Sequence, residues 1–137
     1  MLNGMAEKQP LVSVIVVNFN GRAFLKNCLS SLLAQTYPSF EIIFVDNGSR
    51  DGSIEYVKDH FPGVMIIENG ENFGYAKANN IGIRASSGDL IATLNNDTEV
   101  SPGWIASLAG AMLSDDRVGM CASRRSEEHT SELQSQR

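Results

Sequence analysis

Four short aliphatic runs, each followed by residues at helical spacing, constrain this chain more than any other feature. Leu11 to Val17 is nearly continuous and rich in β-branched residues. Phe40 to Val45, Val64 to Ile67 and Leu90 to Leu94 repeat the pattern. Runs of this length without polar alternation read as strands, and the first two as buried strands, the habit of a parallel sheet. Between them, Leu25, Cys28, Leu29, Leu32 and Leu33 recur at helical spacing and define one apolar face. Tyr37-Pro38 stops that helix. A shorter helix runs through Ile54, Val57 and Phe61 and ends at Pro62-Gly63. A third covers Tyr75 to Ala85 and ends at Ser87-Gly88. A fourth begins near Pro102, where the missing N–H costs nothing, and turns Trp104, Ile105, Leu108 and Met112 inward. Val118 to Ala122 reads as a fifth strand. The order β-α-β-α-β-α-β-α-β predicts an open, mainly parallel α/β sheet with helices on both faces and right-handed crossovers.

The 137 residues suit one domain or a piece of a larger one. Residues 1–9 read as an extension and 10–124 as the α/β domain. Residues 125–137 are polar and aperiodic, and resemble the translation of a sequencing-library adapter. They are expected to be non-native, with a natural disordered terminus as the alternative. The hydrophobic share of 42% and charged share of 20% are those of an ordinary globular protein. A net charge of -5 and a pI near 4.9 argue against nucleic acid as a partner, which calls for a basic stripe. Two cysteines, Cys28 and Cys121, are too few for a disulfide scaffold and match no zinc spacing, so both read as small buried hydrophobes. No run approaches the roughly 18 apolar residues of a membrane span, and the N-terminus lacks signal-peptide order. The expectation is cytoplasmic, with any membrane attachment peripheral, at the inner face.

In open parallel sheets ligands bind beyond the carboxyl ends of the strands. Here those ends carry Asn18 and Asn20, Asp46 to Asp51, Asn72 to Gly74, and Asn95 to Asp97. Asn, Asp and Gly are also ordinary turn residues, but four such clusters on one sheet edge point to a site. Asp46 has two readings: an acceptor for a base N–H or ribose hydroxyl, or a cap for the following turn. Asp51 reads as a helix N-cap. Asp97, with an Asn95 carbonyl two residues earlier, fits a hard divalent ion if the substrate supplies further oxygens; an Asx-turn is the plain alternative. Lys77, in the first turn of the third helix, reads as a phosphate contact or a solvated lysine. Asn79 and Asn80 are unusual within a helix, which leaves one to point into the site and the other outward. His60, at the end of a short helix, reads as a surface residue. No Gly-x-Gly-x-x-Gly, no Gly-Lys-Ser/Thr loop and no nucleophile elbow is present.

Together these stretches resemble the donor-binding half of a family 2 glycosyltransferase of the GT-A fold. The resemblance rests on Val12-Ser-Val-Ile-Val-Val-Asn-Phe-Asn-Gly21, Val45-Asp-Asn-Gly-Ser-Arg-Asp-Gly-Ser53, Asn72-Phe-Gly-Tyr-Ala-Lys-Ala-Asn-Asn-Ile-Gly82 and Leu94-Asn-Asn-Asp-Thr-Glu-Val100. It implies a Rossmann-like nucleotide-sugar fold, truncated here. Substrate contacts are implied at Asn18, Asn20, Asp46, Asn72, Gly74, Lys77, Asn79 and Asn95. Asp97 would ligate Mg²⁺ or Mn²⁺. Asn95 stands where the family's Asp-x-Asp has its first acid, as in the branch resembling bacterial rhamnosyltransferases, which implies a UDP- or dTDP-sugar. The implied reaction is inverting transfer to a glycan or lipid-linked acceptor hydroxyl, in polysaccharide or cell-envelope glycan synthesis. The general base is expected beyond this sequence, so no catalytic residue is assigned here and the fragment is expected to bind without robust transfer. A non-catalytic nucleotide-sugar binding module is the alternative. A receiver-type signalling domain fits poorly: Asn18-Phe-Asn20 replaces its acidic pair, and no Lys follows Val118.

Overall fold

The computed structural model describes residues 9–114. It contains four strands and four helices in strict alternation: β1 (Val12–Asn18), α1 (Arg22–Leu33), β2 (Phe40–Asp46), α2 (Ser53–His60), β3 (Met65–Glu68), α3 (Tyr75–Ala85), β4 (Leu90–Asn95) and α4 (Trp104–Leu113). The strands form one parallel sheet in the order β3-β2-β1-β4. The open α/β class expected from the alternation is therefore what forms. Val118 to Ala122, Cys121 and the 125–137 segment lie outside the described residues. No helix among the described residues is long and apolar enough to cross a membrane.

β1 is central and buried along its whole length, which is why its sequence shows no polar alternation. Alternate residues nonetheless serve different layers. Val12, Val14 and Val16 pack with Ile42, Phe44, Ala92 and Leu94 beneath α1, α2 and α4. Ile15 and Val17 pack with Ile43, Val45 and Ala78 beneath α3. α3 comes close because Gly82 faces the sheet. A Cβ there would lie 2.7 Å from Ile15 Cγ2 and 3.0 Å from Val45 Cγ2.

One expectation needs correction. Leu33 was placed on the core face of α1 but is 53% exposed. Leu25, Cys28, Leu29 and Leu32 fill that stripe, and about 100° per residue carries Leu33, the last residue of the helix, to its flank. β3 is a four-residue edge strand, and its Met65 is exposed.

The loops beyond β1 and β2 are tied together by Asp51. Its Oδ2 accepts the Arg22 N–H at the start of α1 (2.9 Å), and its Oδ1 accepts the Ser53 N–H at the start of α2 (3.0 Å) and the Ser53 hydroxyl. The N-cap positions themselves are Gly21 and Gly52, so Asp51 is not the N-cap it was expected to be; from one residue before Gly52 its carboxylate accepts the first N–H group of each helix. Burial pushes its pKa up, but the hydrogen bonds from Ser53 and Arg22 outweigh this and hold it below the ordinary 3.8. A lowered folded-state pKa stabilises the fold above the unfolded value, and that stability is lost as pH falls through the folded value. Asp51→Asn is therefore expected to be less stable than the parent at neutral pH. The gap should close on acidification below the ordinary carboxylate range. Urea midpoints measured across pH test this, and a gap that stays constant with pH would remove the carboxylate as its source.

Candidate functional site

The strand order reverses at β1: β2 and β3 lie to one side of it and β4 to the other. Such a reversal opens a crevice at the carboxyl ends of the strands on either side of the switch. A cleft of 430 Å³ lies there, against the first turn of α3. Val17 and Phe19 from β1 and its loop, Asn47 after β2, Asn95 at the end of β4, and Asn96 and Asp97 in the turn after it contribute to its walls; Asn72, Gly74 and Tyr75 complete them.

The expected site residues separate into two groups. Asn72, Gly74, Asn95 and Asp97 reach the cleft. Asn72 Oδ1 accepts the Gly74 N–H (2.8 Å), and the Gly74 carbonyl accepts Asn47 Nδ2 (3.2 Å). Asn95 Oδ1 accepts the Tyr75 hydroxyl (3.1 Å), a bond across the cleft wall from β4 to α3. Asp97 is exposed, and no hydrogen bond or ion pair engages its side chain among the described residues.

Asn18, Asn20, Asp46, Lys77 and Asn79 do not line the cleft. Asn18 and Asp46 are completely buried beneath its rim. Asp46 accepts from four donors: Asn18 Nδ2 (2.9 Å) and Ser49 Oγ (2.7 Å) on Oδ1, and the N–H groups of Gly48 (3.1 Å) and Ser49 (2.8 Å) on Oδ2. Asn20, in the left-handed region at φ 52°, ties the β1 loop to the β2 loop by accepting the Arg50 N–H (2.8 Å). Lys77 is exposed and stands 4.5 Å over the Phe73 ring. Asn79 is half-buried, with its Oδ1 shielded from solvent and unpartnered, while Asn80 is exposed. His60 is exposed at the end of α2, as expected, and stacks on Tyr56.

Sequence reasoning gave no role to Phe19 or Tyr75, and it placed Asn47 and Asn96 in the strand-end clusters without assigning them one. Strand parity was the available signal for two of them. Asn47 continues the Ile43, Val45 series, and Phe19 continues Ile15, Val17; both series face α3, as the cleft does. Asn18 and Asp46 continue the opposite series, which faces α1 and α2.

Asp97 is the one charged residue among the cleft walls. Its field also reaches Cys28, whose Sγ lies 3.9 Å from the Asn95 carbonyl beneath β4. Burial, then the charge of Asp97, pushes the Cys28 thiol up to about 12, so it stays a protonated core residue. A polar cleft whose only fixed charge is negative accommodates an anion together with a cation. Among the described residues no cluster of three or more His, Cys, Asp or Glu could hold a metal unaided. One carboxylate with neighbouring amide oxygens instead suits Mg²⁺ or Mn²⁺, which keep waters and take remaining ligands from bound phosphates.

The chain is similar in sequence and fold to known proteins. The family model described as glycosyl transferase family 2 matches residues 13–137. An uncharacterized glycosyltransferase of Haemophilus influenzae is 31% identical over 115 residues, covering 82% of this chain and 36% of its own length. Glycosyltransferase AglE of Haloferax volcanii is 34% identical over 106 residues, covering 74% and 35%. Among solved structures, the mannosyltransferase PcManGT from Pyrobaculum calidifontis, in complex with GDP-Man and Mn²⁺, superposes with a TM-score of 0.76 at 26% identity. That match covers 82% of this chain and 35% of the other. The chain thus spans about a third of the length of the curated relatives it matches.

Proposed function

The chain belongs to glycosyl transferase family 2, and from that membership we propose that it forms the donor-binding part of a glycosyltransferase acting on a nucleoside-diphosphate sugar. The observation that carries this reading is the position of Asp97. It is a free carboxylate at the switch-point cleft, and no other wall residue is charged. A diphosphate entering beside it needs a divalent cation to neutralise the repulsion. The mannosyltransferase with GDP-Man and Mn²⁺ supports the same pairing of ligand and metal. Asn95, in place of an acid at the start of the Asp-x-Asp stretch, supports a UDP- or dTDP-sugar.

In the proposed reaction an acceptor hydroxyl attacks the anomeric carbon opposite the diphosphate. A C–O bond forms, the C–O bond to phosphate breaks, and its electron pair leaves with the nucleoside diphosphate, giving inversion. When bound, the metal offsets the charge gathering on that leaving group. Asp97 holds the metal. Asn72 is exposed and presents its amide to the nucleotide, the buried Asn47 amide braces the wall through Gly74 and Asn69, and Phe19 and Tyr75 offer exposed aromatic surface. The acceptor's proton goes to a carboxylate base outside residues 9–114. Transfer to a glycan or lipid-linked acceptor follows from the family resemblance.

Calorimetry with UDP, dTDP and GDP, with and without Mn²⁺, tests the reading. Metal-dependent binding is expected, and Asp97→Ala should weaken it by at least the roughly tenfold typical of even outer-shell changes at metal sites. Binding indifferent to both the metal and Asp97→Ala would remove the donor site from this cleft.

A further inference from the structure

The buried polar chain beneath the cleft carries information about which atoms the cleft presents. All four groups on the Asp46 carboxylate are donors. A carboxylate accepts and does not donate. Asn18 must therefore turn its Nδ2 to Asp46, which leaves its Oδ1 facing β4. That oxygen accepts Asn96 Nδ2 at 2.7 Å. Asn18 and Asp46 are both fully buried, so water cannot relax either orientation. The amide of Asn96 is in turn fixed, with its nitrogen spent inward and its oxygen left for the cleft that Asn96 lines. Asn95 is directed otherwise, because its oxygen accepts the Tyr75 hydroxyl. Backbone packing reinforces the arrangement. A Cβ on Gly21 would lie 2.6 Å from Asn18 Oδ1 and would collide with Asn96 Nδ2.

We infer that the Asp46–Asn18–Asn96 chain fixes Asn96 Oδ1 as an oxygen donor beside Asp97, so that Asn96 and Asp97 together hold the divalent cation. Asp46 and Asn18 are then positioning residues, acting through Asn96 without touching the ligand. This moves the second oxygen from Asn95 to Asn96, and it rests on the donor-site reading above. The carbonyl oxygen of an amide is a suitable ligand for a hard cation. A carboxylate could not fill the place of Asn96, since its oxygens would face Asn18 Oδ1 with no proton between them.

The test is a Mn²⁺ titration of the 137-residue chain at saturating UDP, dTDP or GDP, whichever the parent binds, with free Mn²⁺ followed by electron paramagnetic resonance. Asn96→Ala is expected to weaken Mn²⁺ binding by about tenfold or more, and Gly21→Ala, which lies outside the cleft, by a comparable factor. Nucleotide binding without metal should stay at the parental level in Gly21→Ala. Asn96→Ala changes a partly exposed side chain and decides the matter alone if Gly21→Ala does not fold. Mn²⁺ affinity within about twofold of the parent in Asn96→Ala, alongside its loss in Asp97→Ala, would overturn this inference and spare the functional reading. Absence of metal-dependent binding in the parent would sink both.

Discussion

Asp46→Ala is expected to lower the stability of the fold by about 3–5 kcal/mol, since each buried donor left without a partner costs about 1–3 kcal/mol. Two backbone N–H groups, from Gly48 and Ser49, lose their acceptor, and Asn18 Nδ2 and Ser49 Oγ lose one partner each. Water is a poor substitute, because Asp46 and Asn18 are completely buried. Single domains are stable by only about 5–15 kcal/mol, so the variant should stand near the edge of folding. With a urea dependence of about 1–3 kcal/mol per molar, the midpoint should fall by roughly 2 M. Asp46→Asn keeps the shape but turns an amide NH₂ toward donors. It should lose much of the same stability. Midpoints within about 0.5 M of the parent for both variants would mean the cage contributes little to folding.

The expected role of Asp46 as a base or ribose ligand shows what the sequence does and does not make legible. The sheet was legible because β1 and β2 are covered on both faces, so their hydrophobic runs are unbroken. The site's location followed from topology, since polar residues at strand ends in a parallel sheet share one edge. Asn72, Gly74, Asn95 and Asp97 do meet there. What a strand end does not announce is which way its last side chain points. Parity decides it: Asn18 and Asp46 share the face of Val16 and Phe44, and the cleft opens on the face of Val17 and Val45. Asn96 was given no individual role for another reason. Its place depends on a hydrogen bond to Asn18, 78 positions away in sequence, and no local pattern encodes that. Lys77 carried two readings, a phosphate contact or a solvated lysine, and it stands exposed over the Phe73 ring outside the cleft walls.

Gly82→Val should be the most damaging conservative change in a helix, at about 2–3 kcal/mol, the range for forcing extra methyl groups into a packed core. The first added carbon already falls 2.7 Å from Ile15 Cγ2 and 3.0 Å from Val45 Cγ2. Both neighbours are fully buried, so neither can swing aside. Valine recovers some of this, because glycine in a helix interior is itself unfavourable by about 1 kcal/mol relative to alanine. The remaining strain is relieved by lifting α3 from the sheet, and α3 carries Gly74 and Tyr75 at its cleft end. The Asn47–Gly74 and Tyr75–Asn95 hydrogen bonds, at 3.2 and 3.1 Å, have little slack for such a shift. Gly82→Val is thus expected to lose stability and nucleotide binding together. Gly110→Ala provides the control: nothing lies within 4 Å of a Cβ there, so helix propensity alone should stabilise the fold by about 0.5–1 kcal/mol. Thermal midpoints and calorimetry on the two variants separate these cases. If Gly82→Val destabilised no more than a surface change, the close seating of α3 on β1 and β2 would not be what holds the cleft wall in place.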